Sequence, residues 1–141
     1  MNEVLANKIE SIRRCIARIE AVRPATHALL VEQIDAQDIL ALNLERAVQM
    51  AVDVATHILA GIETSAPDTM SDCFRRLNGV GVIDDAITSK MTKAVGFRNI
   101  AVHAYRDIDW QIVFSISTQA PGDFREFVRQ IMAWVGKQEK N

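Results

Sequence analysis

Apolar residues return along this chain at spacings of three and four, the repeat of a helix that buries one side. Leu5, Ile9, Ile12, Ile16 and Ile19 form the first such stripe. Pro24 predicts where it stops, because the residue before a proline is pushed away from helical angles. A longer pattern runs from about Thr26 to Ile62, with Leu30, Ile34, Ala41, Leu44, Val48, Ala51, Ala55 and Ile58 on one face. No proline interrupts it and Gly61 lies near its end, so it reads as one long helix. "TSAPDTMSD" is a loop by composition, since Ser, Thr, Asp and Pro compete for local backbone hydrogen bonds. Ser71 to Asn78 predicts a short helix that ends at Gly79, a left-handed cap. "GVGVID" breaks the pattern again, and Asp84 is placed to cap a helix running toward "GFRNIAVHAY", residues 96 to 105. After "DID", the segment "WQIVFSIS" through Ile116 suits either helix or strand. "APGD" then opens a last amphipathic helix bearing Phe124, Phe127, Val128, Ile131 and Trp134. With no internal repeat, low-complexity tract or domain boundary, the expectation is a single all-α domain over residues 1–141, an antiparallel helical bundle.

Composition narrows the setting. A chain of 141 residues is long enough for one real core. At 49% hydrophobic and 24% charged it reads as globular and soluble. The net charge of −2 supplies no global positive field, so any contact with nucleic acid must come from local clusters. Cys15 and Cys73 stand alone without metal-ligand spacing, as free thiols do in a reducing compartment. "MNEVLANKIE" carries charges where a signal peptide needs an apolar run, and no stretch reaches the roughly 20 apolar residues of a membrane span. A cytoplasmic protein is expected.

Within "GFRNIAVHAY", an arginine, an amide, an imidazole and the chain's single tyrosine (Arg98, Asn99, His103 and Tyr105) fall close together. At about 100° per residue, Phe97, Ile100, Ala101 and Ala104 share a side expected to face the core. Arg98 and Tyr105 nearly coincide in angle, and Asn99, His103 and Arg106 form a neighbouring row. Val102 projects between the rows, with Met91 and Val95 continuing its line. An apolar seam in a polar sector fits a face that meets another protein surface, such as a symmetric partner.

Each of these residues also has an ordinary reading. A helical histidine is often structural, an arginine often a salt-bridge partner, and a tyrosine often a half-buried aromatic with a wet hydroxyl. The combination says more. An imidazole, with a reference pKa of about 6.5, exchanges protons near neutral pH. A guanidinium holds a phosphate through parallel hydrogen bonds. Together they suffice for RNA cleavage without a metal: histidine removes the proton from a ribose 2′-hydroxyl and arginine stabilises the charge growing on the phosphorus oxygens. "GVG" lacks the lysine and hydroxyl of a phosphate-binding loop, and His27, His57 and His103 are not spaced as a metal triad.

"RNIAVHAY" resembles the Arg-x4-His-x-Tyr motif of HepT-like toxin ribonucleases in the HEPN superfamily. "LERAVQMAVDVATHIL" is similar to that family's long helix with its embedded Arg and Asp, and "DCFRRLNGVGVID" to its short helix and turn. The resemblance implies that Arg98 and His103 are the catalytic pair. Asn99 matches the polar residue beside the arginine, and Tyr105 the tyrosine that a partner modifies. It further implies an α-helical homodimer with both motifs lining one cleft, acting as the toxin of a type VII-like toxin–antitoxin system. An MntA-like nucleotidyltransferase antitoxin would neutralise it by transferring AMP from ATP to Tyr105. The toxin itself would need no cofactor and no metal. The rival reading is a non-catalytic helical subunit that binds substrate or nucleotide for a nucleotidyltransferase.

A second constellation lies on the long helix. Arg46, Asp53 and His57 project close together with Ile39, Leu42 and Met50. Arg46 and Asp53 suit a structural ion pair across two turns, or a row bordering the cleft; the resemblance favours a place near the site. His57 reads as structural. Lys90, Lys93 and Arg106 surround the motif and suit RNA phosphates or a solvated face equally. Arg75 and Arg76 suit the same phosphates or an acidic patch on the antitoxin. Asp84 and Asp85 read as helix-start residues.

Overall fold

Asn2 starts the first helix by accepting hydrogen bonds from the backbone N–H groups of Val4 and Leu5, at 2.8 and 3.3 Å. That helix, α1, spans Glu3–Val22 and ends just before Pro24. The same device, a side-chain oxygen on a free backbone N–H, opens α2 (His27–Glu32) at Thr26, α4 (Met70–Gly79) at Thr69, α5 (Asp85–His103) at Asp84 and α6 (Trp110–Lys140) at Asp109. α3 spans Ile34–Ala60 and is the exception, with no side-chain cap. The computed structural model describes residues 1–62 and 65–141, so Thr64, the first residue of the expected loop, lies outside the described residues.

The pattern from Thr26 to Ile62 is two helices. Gln33 leaves helical angles (φ −106°, ψ 89°), and the side-chain amide of Gln37 donates to the carbonyls of Leu30 and Val31 freed at the break. Neither Pro nor Gly marks this point, because side-chain hydrogen bonding satisfies the broken turn. Ile34, expected on the buried face, becomes the exposed first residue of α3, while Leu30, Ala41, Leu44, Val48, Ala51, Ala55 and Ile58 are buried as the stripe predicts.

The short fourth helix runs through Gly79, and the left-handed residue is Gly81 (φ 84°). Behind it the N–H of Val82 reaches back to the carbonyl of Leu77 at 2.9 Å. Asn78 then ties the turn to the next helix by donating to the carbonyl of Ile83 and the carboxylate of Asp85.

"WQIVFSIS" is helical, and α6 passes without a break through Pro121 and Gly122, where a new helix was expected to open. Val113, Ser117, Ala120, Pro121, Phe124, Phe127, Val128 and Ile131 make one buried stripe across the proline. Burying that stripe outweighs the one backbone hydrogen bond the proline removes.

α3 touches every other helix and forms the centre of this antiparallel all-α bundle. Ala47, Ala51, Val54 and Ala55 are fully buried on it, small enough for its neighbours to approach. Phe74 of α4 meets Phe127 of α6 edge to face, with centroids 5.7 Å apart. Among the described residues there is no strand, and no helix is long and apolar enough to cross a membrane.

Candidate active site

α5 carries the motif, and its start is fixed by two sets of hydrogen bonds. Asp84 caps it through the N–H of Ile87 at 2.9 Å. Gln130 of α6 accepts from the backbone N–H of Asp84 at 2.8 Å and donates to its carboxylate at 3.0 Å. Ile87, Met91, Val95, Phe97 and Ala101 are then buried against the bundle. Met91 and Val95 therefore belong to the chain's own core and not to an open seam; of that line only Val102 is exposed. Ile100, expected in the core, is 47% exposed. The buried sector centres between Phe97 and Met91 in projection, so Ile100 points away from it.

Arg98 lies inside that inward sector. Its Nε is buried and has no hydrogen-bond partner, while Nη1 reaches the side-chain oxygen of Asn99 at 3.3 Å. A buried guanidinium nitrogen without a partner is costly. Asn99 is exposed beside it, and His103 is exposed further along the helix. His103 is the last residue of α5: Ala104 turns the chain away (φ −143°, ψ 46°), and Tyr105–Asp107 form a short 3-10 turn. Tyr105 is thus not stacked above Arg98 on one helical face, as the periodicity suggested.

This turn places Tyr105 against other helices. Its ring meets Trp110 edge to face at 5.9 Å, and its hydroxyl donates a short hydrogen bond to the carboxylate of Asp38 on α3. Partial burial, then the Asp38 hydrogen bond and charge, push the phenol up to about 12. Tyr105, Asp38, Leu42, Glu45, Ala41 and Ala101 line an open recess of about 230 Å³. Sequence reasoning missed Asp38. It stands 67 positions from Tyr105, and no spacing rule joins them.

The second constellation divides. Asp53 accepts from Lys8 of α1 at 3.3 Å and from Gln49 at 3.0 Å, so the expected Arg46–Asp53 pair is absent. Lys8 reaches Asp53 across the helix contact, whereas Arg46 points to a different groove. That groove, about 400 Å³, gathers Arg46 with Arg14, Arg18 and Asn43. Arg14 and Arg18 were not singled out in the sequence, although they stand one turn apart on α1. At 1.5 Å per residue, Arg46 lies about 12 Å along α3 from Asp38, and Asp53 about 22 Å. Within one chain Asp53 is therefore remote from Tyr105. His57 is exposed in the last turn of α3.

Lys90 is engaged by Asp123 at 2.9 Å, and with Lys93 it borders a recess between α5 and α6. Arg106 is exposed on the 3-10 turn. Arg76 is held by Asp72 and Ser65, while Arg75 is exposed. Asp84 and Asp85 act at the start of α5, as read. Among the described residues no group of three His, Cys, Asp or Glu side chains is placed to hold a metal ion.

Residues 12–131 match the family described as ribonuclease HepT-like. The chain belongs to that family. It is 33% identical over 133 residues to the mRNA nuclease HepT of Shewanella oneidensis, covering 94% of this chain and 99% of that protein. It is 24% identical over 132 residues to the tRNA nuclease HepT of Aphanizomenon flos-aquae, covering 94% and 90% of the two. In three dimensions it is similar to the tri-AMPylated Shewanella oneidensis HEPN toxin solved in complex with its MNT antitoxin. The TM-score there is 0.88 at 33% identity, over 94% of this chain and 99% of that one. The HEPN resemblance read from "RNIAVHAY" and its flanking segments thus holds over nearly the whole chain.

Proposed function

We propose that this chain is a metal-independent endoribonuclease and the toxin of a toxin–antitoxin pair, silenced when an MntA-type nucleotidyltransferase transfers AMP to Tyr105. The observation that carries the reading is an Arg98 whose buried Nε has no partner, on the same helix as an exposed His103 about one turn and a half further along. His103 takes the proton from a ribose 2′-hydroxyl, whose oxygen attacks the adjoining phosphorus. The 5′-oxygen of the next nucleotide leaves with the electron pair and takes a proton from water, so the products carry a 2′,3′-cyclic phosphate and a 5′-hydroxyl. Arg98 neutralises the charge that grows on the phosphorus oxygens, and the Asn99 contact holds the guanidinium in place. An arginine in that role supplies the positive charge without a metal.

The nuclease names of the relatives and the AMPylated toxin–antitoxin complex among similar structures support this reading. Exposed Ile100 and Val102 support a homodimer that brings two copies of Arg98 and His103 together and leaves the Tyr105 recess open. Lys93 and Arg106 are then the side chains offered to RNA phosphates, Lys90 being engaged by Asp123. The test is RNA cleavage by the purified, unmodified protein. His103→Ala should lower the rate by about 10²–10⁴ while the protein still folds. A folded His103→Ala protein that cuts as fast as the parent would end the reading.

A further inference from the structure

A tyrosine hydroxyl is a poor nucleophile at neutral pH, and here partial burial and Asp38 hold it protonated more firmly than usual. Some group must therefore take its proton as a new bond to oxygen forms. The geometry around Tyr105 supplies one. Its O–H already points at the carboxylate of Asp38, and Trp110 fixes the ring from its edge. Asp38 rides on α3, the helix held by all the others, so the acceptor is placed before any partner arrives. The open recess of about 230 Å³ borders both groups and leaves the oxygen reachable.

We propose that Asp38 is the proton acceptor in the AMPylation of Tyr105, so that the chain supplies the base for its own modification. The inference rests on the reading of Tyr105 as the AMP acceptor. As the phenol oxygen attacks the α-phosphorus of ATP held with its Mg²⁺ by the nucleotidyltransferase, the O–P bond forms and the α–β phosphoanhydride bond breaks. Pyrophosphate leaves with the electron pair, and the phenol proton passes to an Asp38 oxygen and then to water. Bonding to phosphorus makes the phenol proton strongly acidic, so the transfer to a carboxylate becomes downhill during the step itself. The product has no proton to donate and carries a negative phosphodiester. The contact that positions the substrate therefore repels the product.

Other ionisable groups surround the pair. Glu45 lines the same recess, Asp35 lies one turn back on α3, and His103, Arg106 and Asp107 flank Tyr105 along the chain. The assignment of the proton to Asp38 is therefore tested by substitution and pH together.

The experiment follows AMP incorporation by intact-mass spectrometry, using the full chain, an MntA-type nucleotidyltransferase, Mg²⁺ and ATP. Asp38→Asn keeps an oxygen for the hydrogen bond and loses the basic site. Its rate should fall by about 10²–10⁴. It should also climb with pH between about 6 and 9, as free phenolate becomes available, while the unsubstituted chain stays level. Asp38→Glu should restore much of the rate. If Asp38→Asn does not fold, as judged by thermal unfolding, the Asp38→Glu profile alone decides: a slope with pH like that of phenolate ionisation overturns the proposal. Equal rates and equal pH profiles for Asp38→Asn and the parent overturn it also. AMP retained on Tyr105→Phe would instead overturn the reading of the acceptor, and the proposal with it.

Discussion

Gln130 and Asp84 hold each other twice: the amide oxygen of Gln130 accepts from the backbone N–H of Asp84, and its amide nitrogen donates to the Asp84 carboxylate. Gln130 is buried on α6, and Asp84 is the residue that opens the motif helix. One buried amide thus ties the start of α5 to the longest helix in the molecule. Gln130→Ala leaves a partly buried N–H without a partner, which costs about 1–3 kcal/mol. Chemical denaturation should show that loss with an unchanged dependence on denaturant. A variant as stable as the parent would mean water replaces the amide.

Arg98 is not replaceable by lysine on this geometry. Its Nε is the buried, unpartnered atom, and lysine puts a single ammonium where a planar fork stood. Arg98→Lys and Arg98→Ala should both lose RNA cleavage by a factor of about 10² or more, since each removes the preorganised donor. Single-turnover cleavage of a short RNA is the measurement; near-parent rates for Arg98→Lys would show that charge alone is enough.

Tyr105 is the only tyrosine in the chain, so phenolate absorbance on alkaline titration reports one residue. Its midpoint should lie near 12, and Asp38→Asn should bring it down toward the ordinary value of about 10. The folded state holds this proton more tightly than the unfolded state does. The associated stability is therefore complete below about pH 10 and is lost as pH rises toward 12. A midpoint near 10 in the parent protein would mean that neither the partial burial nor the hydrogen bond persists in solution.

Val102 is the one member of the Met91–Val95–Val102 line left open to a partner. Val102→Glu should convert a sedimenting homodimer to monomers and reduce RNA cleavage in parallel, because two like charges would meet across the two-fold axis. An active monomer in either protein contradicts a shared cleft.

Gly122 sits inside α6 just after Pro121, and a side chain there would meet nothing within 4 Å. Its backbone angles are not left-handed, so Gly122→Ala removes chain freedom from the unfolded state without strain. Thermal unfolding should show a gain of about 0.5–1 kcal/mol. A loss would mean that the helix needs the glycine to pass the proline.

The amino-acid order alone determined what depends on near neighbours. The stripe from Leu5 to Ile19, the stop before Pro24, the Asp84 cap and the Arg-x4-His-x-Tyr string each arise within a few residues, where helical pitch and backbone hydrogen bonding leave little choice. Only the folded chain decided matters that hang on a distant competitor. Pro121 stays inside a helix because the buried stripe on both sides of it outweighs one missing hydrogen bond. Asp53 pairs with Lys8 and not with Arg46, because α1 lies against that face of α3. Met91 and Val95 face the chain's own core, and an amphipathic pattern does not say which neighbour covers it. Asp38 reaches Tyr105 only because α5 stops at His103 and a 3-10 turn swings the ring onto α3. Helical periodicity carries no information across such a turn, so that contact existed nowhere in the sequence pattern and was settled by packing.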